Sequence, residues 1–150
     1  MHEVAERLTG IDDWCEAIFA ANVVFEPLVG ELFRSGLVQH AAPRNGDFVT
    51  PTVVGAEEYD FAERDLRYTR AMFELLSNDR EFADHNKQIM QEWLSAWVPR
   101  AIAAARTLQP LWSQPEAKPP RFEDGLDQAK SRFSGILGDL GLLTPKELAQ

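Results

Sequence analysis

A proline in the middle of a long amphipathic pattern sets the first constraint on this chain. Ile11, Trp14, Cys15, Ile18, Asn22, Phe25, Val29, Leu32 and Phe33 recur at steps of three and four, which places them on one face of a helix running from Ile11 to Gln39. At about 1.5 Å per residue such a helix spans roughly 43 Å. Pro27 lies inside it, with no N–H for the carbonyl of Val23 and a ring that crowds the same turn, so a kink or break is expected there. A helix this long with so wide an apolar face needs a large bundle or a partner to cover it.

The rest of the chain repeats the theme. Between Ala41 and Gly55 the periodicity lapses and Pro43, Asn45-Gly46 and Pro51 punctuate a Val- and Thr-rich stretch, which reads as an extended connector with a turn at Asn45-Gly46. Two short β runs there are too few for a sheet. A second helix is predicted from Glu57 to Leu76, striped by Ala62, Leu66, Thr69, Phe73 and Leu76, with Asp60–Arg64 and Glu63–Arg67 pairs on its outer side. Ser77-Asn78-Asp79 supplies cap chemistry for a third, from Asp79 to Gln109, carrying Phe82, Ile89, Trp93, Trp97, Ala101, Ala104, Ala105 and Leu108. Pro99 is expected to interrupt it. Three prolines between Gln114 and Pro120 mark a surface linker, and a short helix follows from Phe122 through Leu126, Ala129, Phe133, Ile136 and Leu137. Thr144-Pro145-Lys146-Glu147 has the composition of a helix start three residues before the last position.

Composition narrows the function classes. A 45% hydrophobic content in 150 residues supports a core, and a formal charge of −9 opposes binding to nucleic acid or anionic lipid. One cysteine, Cys15, permits no internal disulfide and suits a cytoplasmic protein. Asp12, Asp13 and Glu16 interrupt any signal-peptide pattern, and no charge-free stretch approaches the roughly 20 apolar residues of a membrane helix. The expectation is a soluble all-α protein.

Catalytic patterns are sparse. Long helices with aromatic faces invite comparison with ferritin-like bundles, whose iron pair takes carboxylates from two helices and a Glu-x-x-His from each of two others. Three residues before His40 stands Leu37, and three before His85 stands Phe82, so neither histidine completes that motif. Glu81 and Asp84 near His85 do not replace it, and His85 reads as a packed or surface-tipped side chain. Glu26, beside Pro27, lies about 40° around the helix from Asn22 and is expected to cap freed donors or pair with an arginine. No phosphate-cradling glycine loop and no nucleophile signature is present. At helical spacing, Trp93 and Trp97 read as core or subunit contact rather than as a cofactor box.

Several separate stretches, in order, resemble one family. Residues 21–34 (ANVVFEPLVGELFR), Asn45-Gly46-Asp47-Phe48-Val49-Thr50-Pro51-Thr52, Arg64-Asp65-Leu66-Arg67, residues 86–94 (NKQIMQEWL), Trp97-Val98-Pro99, residues 108–113 (LQPLWS) and Phe133-Ser134-Gly135-Ile136-Leu137 are similar to the small (beta) subunit of bacterial multicomponent di-iron monooxygenase hydroxylases, the propane type above its methane, phenol and toluene relatives. The resemblance covers about Trp14 to Leu143. It implies a ferritin-like helical bundle lacking the di-iron ligands, incomplete here because such subunits are longer, with residues 1–113 forming the C-terminal part of the bundle and 114–150 a Pro-rich linker and short helices packed on it. It further implies no catalytic, cofactor-binding or metal residue in this chain and a di-iron centre in a large (alpha) subunit. Reductase and coupling protein would complete an NADH-dependent complex that hydroxylates a small hydrocarbon. Phe25, Phe33, Trp93 and Trp97 are the expected core or subunit-interface anchors. The competing expectation is a free-standing helical protein–protein interaction module.

Overall fold

In the computed structural model, which describes residues 2–148, the predicted break at Pro27 does not occur. The backbone runs helically without interruption from residue 14 to residue 44, and Pro27 is accommodated by a change of pitch. After α1 (His2–Thr9) comes α2 (Trp14–Ile18), which passes into a π-helical segment, Phe19–Gly30; a second π segment, Leu32–Val38, leads into α3 (Gln39–Arg44). The wider turn is visible in the bonding: Glu31 N–H donates to the carbonyl of Glu26, and Gln39 N–H to that of Arg34, each five residues back. The start is fixed by Asp13, whose carboxylate accepts from the N–H of Cys15 at 2.8 Å and of Glu16 at 3.4 Å.

The change of pitch also moves the buried face. Phe19, Val23, Leu28 and Leu32 are fully buried, as are Ala20, Val24 and Val29. These rows step by four and five residues, as i→i+5 bonding requires. The predicted stripe of Ile18, Asn22 and Phe25 is instead a half-buried flank.

The extended connector expected between Ala41 and Gly55 is also corrected. α3 ends at Arg44, and a second rod begins at Val49, comprising α4 (Val49–Asp60), a π segment (Phe61–Leu66) and α5 (Arg67–Ser77). Only residues 45–48 turn. Asn45 closes the first rod with its side-chain amide on the carbonyl of Ala41 at 2.7 Å, and Gly46 takes a φ of 87°, a left-handed conformation natural to glycine. Asp47 then accepts from the N–H of Val49 and Thr50, both at 3.0 Å, starting α4. Pro51 falls in the first turn of α4, where a missing N–H costs little. No strand occurs among the described residues.

α6 (Ala83–Arg106) passes through Pro99 unbroken. Pro99 is exposed, so its ring distorts only the solvent side, while Val98 and Ala101 remain buried. Met90, Leu94, Trp97, Val98, Ala101, Ala104 and Ala105 form its inner face. α7 (Phe122–Asp139) is longer than predicted, since Gly135 and Gly138 lie on its exposed side, and ends at Gly141 with a φ of 67°. α6 and α7 both pack on the first π segment, making the first rod the central element; the second rod packs against α6 through α5.

The linker is anchored at both ends. A 3-10 turn, Gln109–Ser113, buries Trp112, whose ring meets Phe122 edge-on at 5.2 Å. Further along, Asn45 donates to the carbonyl of Ala117 at 3.2 Å and accepts from its N–H at 3.0 Å, clamping the linker to the first turn. Thr144-Pro145-Lys146-Glu147 leads into a 3-10 turn, Lys146–Leu148; the last two positions lie outside the described residues. No helix among the described residues is long and apolar enough to cross a membrane.

Candidate functional site

The aromatic positions that stand out in the sequence sit at two junctions on one side of the bundle. Phe19 of the first rod, Phe73 of α5 and Trp93 of α6 form a ring cluster: Phe19–Phe73 at 5.1 Å and 84°, Phe19–Trp93 at 5.5 Å, Phe73–Trp93 at 6.5 Å and 79°. Near-perpendicular rings set hydrogen-bearing edges against π faces, an arrangement that adds about 0.5–1.5 kcal/mol per pair to simple burial. One turn along α6, Trp97 is buried and donates its indole N–H to Glu16 Oε1 at 2.8 Å, while the Arg100 guanidinium lies 5.6 Å from its ring centroid. Trp93 and Trp97 therefore connect α6 to two separate elements.

Phe25 and Phe33 do not join this cluster. Phe25 is half-buried against the core, and Phe33 is 39% exposed on the outer side of the second π segment. Cys15 is half-buried beside Trp93, with its thiol pKa raised by burial and by the neighbouring Asp13 carboxylate. Between the rods, Asn22 donates to Thr69 Oγ1 at 3.0 Å, and Thr69 in turn donates to the carbonyl of Asp65 at 2.7 Å. Thr69 is fully buried, so these bonds satisfy the hydroxyl that the apolar stripe of the second helix carries inward.

An open cleft of about 480 Å³ lies where the π segments of the two rods face each other, closed on one side by α7. Pro27, Phe61, Leu66 and Ile136 form its apolar wall. Its polar groups pair among themselves: Ser35 donates to Glu58, Arg132 pairs with Glu31, and Arg34 pairs with Glu26 at 2.6 Å. Gly30 makes the last pair possible, because a Cβ there would fall on Glu26 Oε2. The arginine that Glu26 was expected to find is thus Arg34, eight residues along the same rod. Two of its three carboxylates thus meet an arginine while Glu58 meets only a hydroxyl, so the cleft is an amphipathic recess with a slight excess of negative charge.

The residues present do not suit an iron pair. Among the described residues no three His, Cys, Asp or Glu side chains converge as a metal-binding group, and His40 and His85 are both exposed, on different elements. An iron pair needs several carboxylates and imidazoles converging between helices.

The Trp112–Phe122 contact, the Asn22–Thr69 bond and the cleft were not anticipated. The first had a signal, a tryptophan beside the linker with a phenylalanine at the next helix start. The cleft had none, because it depends on the relative placement of three elements.

The described residues thus form an all-helical bundle with aromatic junctions and no metal-binding cluster. The chain belongs to the Methane/Phenol/Alkene Hydroxylase family, whose model matches residues 1–80. It is 53% identical over 148 residues to the propane 2-monooxygenase hydroxylase component small subunit of Rhodococcus jostii (strain RHA1), which covers 99% of this chain and 40% of that protein. The corresponding small subunit of Mycolicibacterium goodii is 50% identical over 97% of this chain and 39% of its own length. The methane monooxygenase component A beta chain of Methylococcus capsulatus (strain ATCC 33009 / NCIMB 11132 / Bath) is 30% identical over 68% of this chain and 26% of its length. The chain thus spans about two fifths of the length of the propane relatives it matches.

Proposed function

We propose that this chain serves as the small subunit, or a part of it, of the hydroxylase component of a propane-type multicomponent monooxygenase. In this reading it is a non-catalytic member of a cytoplasmic complex: a large subunit holds the di-iron centre and performs the oxygenation, while this ferritin-like helical chain shapes and supports it. Coupling protein and an NADH-dependent reductase complete the system. The observation that carries the reading is the 53% identity to a propane 2-monooxygenase small subunit, extending over 99% of this chain and so through every element of the bundle. The two domain assignments belong to the same proposal, residues 1–113 as bundle and 114–150 as the linker and helices laid over it. Phe25, Phe33, Trp93 and Trp97 are proposed as its anchors, with Phe33 the one whose ring is open to a partner.

Co-expression with the large, coupling and reductase components tests it. The expected result is a co-purifying complex whose iron resides in the large subunit and which consumes NADH in the presence of propane, whereas this chain alone binds no iron and turns nothing over. A monodisperse chain that ignores the large subunit would point instead to a free-standing interaction module.

A further inference from the structure

We propose that residues 56–65 form a flap over the cleft, hinged at Gly55 and at Leu66 and latched by the Ser35–Glu58 hydrogen bond. The inference concerns this chain by itself and does not depend on the small-subunit reading.

The second rod is held unevenly. α5 buries Thr69, Phe73 and Ser77, whereas neither α4 nor the π segment after it buries a residue. One end of the rod is pinned by the Asn45–Ala117 clamp and by Gln39, whose side chain donates to the carbonyl of Pro51 at 3.1 Å. The other end is pinned by Leu66, packed against the core, and by the Asn22–Thr69 bond. Between these pins, Glu58 accepting from Ser35 is, among the described residues, the one side-chain hydrogen bond or ion pair that ties residues 56–65 to another element of the bundle. Arg64 pairs within its own helix, with Asp65 at 2.8 Å and Asp60 at 3.8 Å. A helical segment that buries nothing is held mainly by its own backbone bonds, so it opens locally at little cost.

The points of bending follow from the backbone. Glycine weakens a helix interior, and π turns are places where helices kink. Gly55 lies inside α4, and the pitch changes again over Phe61–Leu66, where Arg67 N–H returns to the carbonyl of Arg64, three residues back. Glu58, Tyr59, Phe61 and Ala62, which line the cleft, all fall between the two hinges. Around Phe61 the flap stands off the first rod, over the cleft and over a second recess of about 310 Å³. An outward swing therefore breaks one side-chain bond and uncovers Pro27 and Ile136 on the cleft wall.

Amide hydrogen exchange of the full chain, read beside thiol labelling of Ile136→Cys in a Cys15→Ser background, tests the flap. Ser35→Ala and Glu58→Ala should each speed exchange over 56–65 and labelling at 136 about tenfold, as loss of a hydrogen bond to a charged group implies, with 67–77 and 90–105 unchanged. Glu58→Gln, which keeps an oxygen for the Ser35 hydroxyl, should restore most of the protection. Gly55→Ala, whose Cβ meets only the movable tip of Gln39 at 3.2 Å, should slow both readouts about fivefold. Exchange and labelling that do not respond to Ser35→Ala overturn the flap. Faster exchange without faster labelling also overturns it, since residues 56–65 would then be unravelling in place, as does an acceleration that spreads to 67–77, which would mean that the whole rod loosens.

Discussion

Gly36 and Gly125 meet where α7 crosses the first rod, and the closeness of that crossing depends on both. A Cβ on Gly125 would lie 3.1 Å from Leu32 Cδ1 and 3.8 Å from the Gly36 Cα, so a larger side chain must push backbone from backbone. Gly125→Leu should destabilise the chain by about 2 kcal/mol in denaturant unfolding. Gly135→Ala, on the open side of the same helix with nothing within 4 Å, should stabilise it by roughly 0.5–1 kcal/mol. Trp97→Phe removes the indole donor from Glu16 and should cost about 1 kcal/mol, a loss that largely disappears when Glu16 has already been replaced by alanine. Asp79 adds a pH-dependent case. Its carboxylate accepts from the N–H of Glu81 at 2.9 Å and of Phe82 at 2.8 Å, which lowers its pKa below the ordinary 3.8. A carboxylate with a depressed folded pKa contributes stability above its unfolded value and loses it as pH falls through the folded one. Asp79→Ala should therefore lower Tm at neutral pH, with the gap narrowing below about pH 3.8 and closing in stronger acid.

At the scale of elements, the helices were legible and their internal pitch was not. Steps of three and four marked the first rod, the second rod and α6 because neighbouring buried positions such as Phe19–Val23 and Leu28–Leu32 still lie four apart, although α-helical and π-helical faces diverge with every residue. Over the twelve residues Phe19–Gly30 the divergence accumulates, which is why Asn22 and Phe25 lie at the flank while Phe19 and Val23 are buried. Prolines misled for a related reason. Pro27, Pro51 and Pro99 read as breaks from local chemistry, yet one sits in a widened turn, one in a first turn and one on a solvent-facing side, where the backbone absorbs the missing donor. α4 and α6 should differ in dynamics. With no buried side chain in α4 and seven in α6, amide hydrogen exchange over 49–60 should be faster than over 90–105 by orders of magnitude in the isolated chain.

At the scale of the molecule, the absence of a Glu-x-x-His motif at His40 and His85 could be counted from sequence, since that motif is local. The cleft between the rods could not, because Glu58, Arg34 and Arg132 come from three elements whose meeting depends on the turn at Asn45-Gly46 and on the Asn45–Ala117 clamp. The aromatic junctions fall between these cases. Trp93 and Trp97 announced themselves by spacing, but their partners Phe73 and Glu16 lie 20 and 81 positions away and needed the fold to be found. The π-helical first rod also bears on how the chain tolerates changes in length. Deleting one residue within Phe19–Gly30 would let i→i+4 bonding replace i→i+5, so the helix itself would survive. A wide turn that loses one residue closes as an ordinary α turn of about the same angular sweep, so the residues beyond it keep their facing toward α6 and α7, Leu32 and Leu37 on the core and Gly36 on Gly125. The π segment Phe19–Gly30 should thus absorb a single-residue deletion that the regular helix α6, with its seven buried side chains, would not.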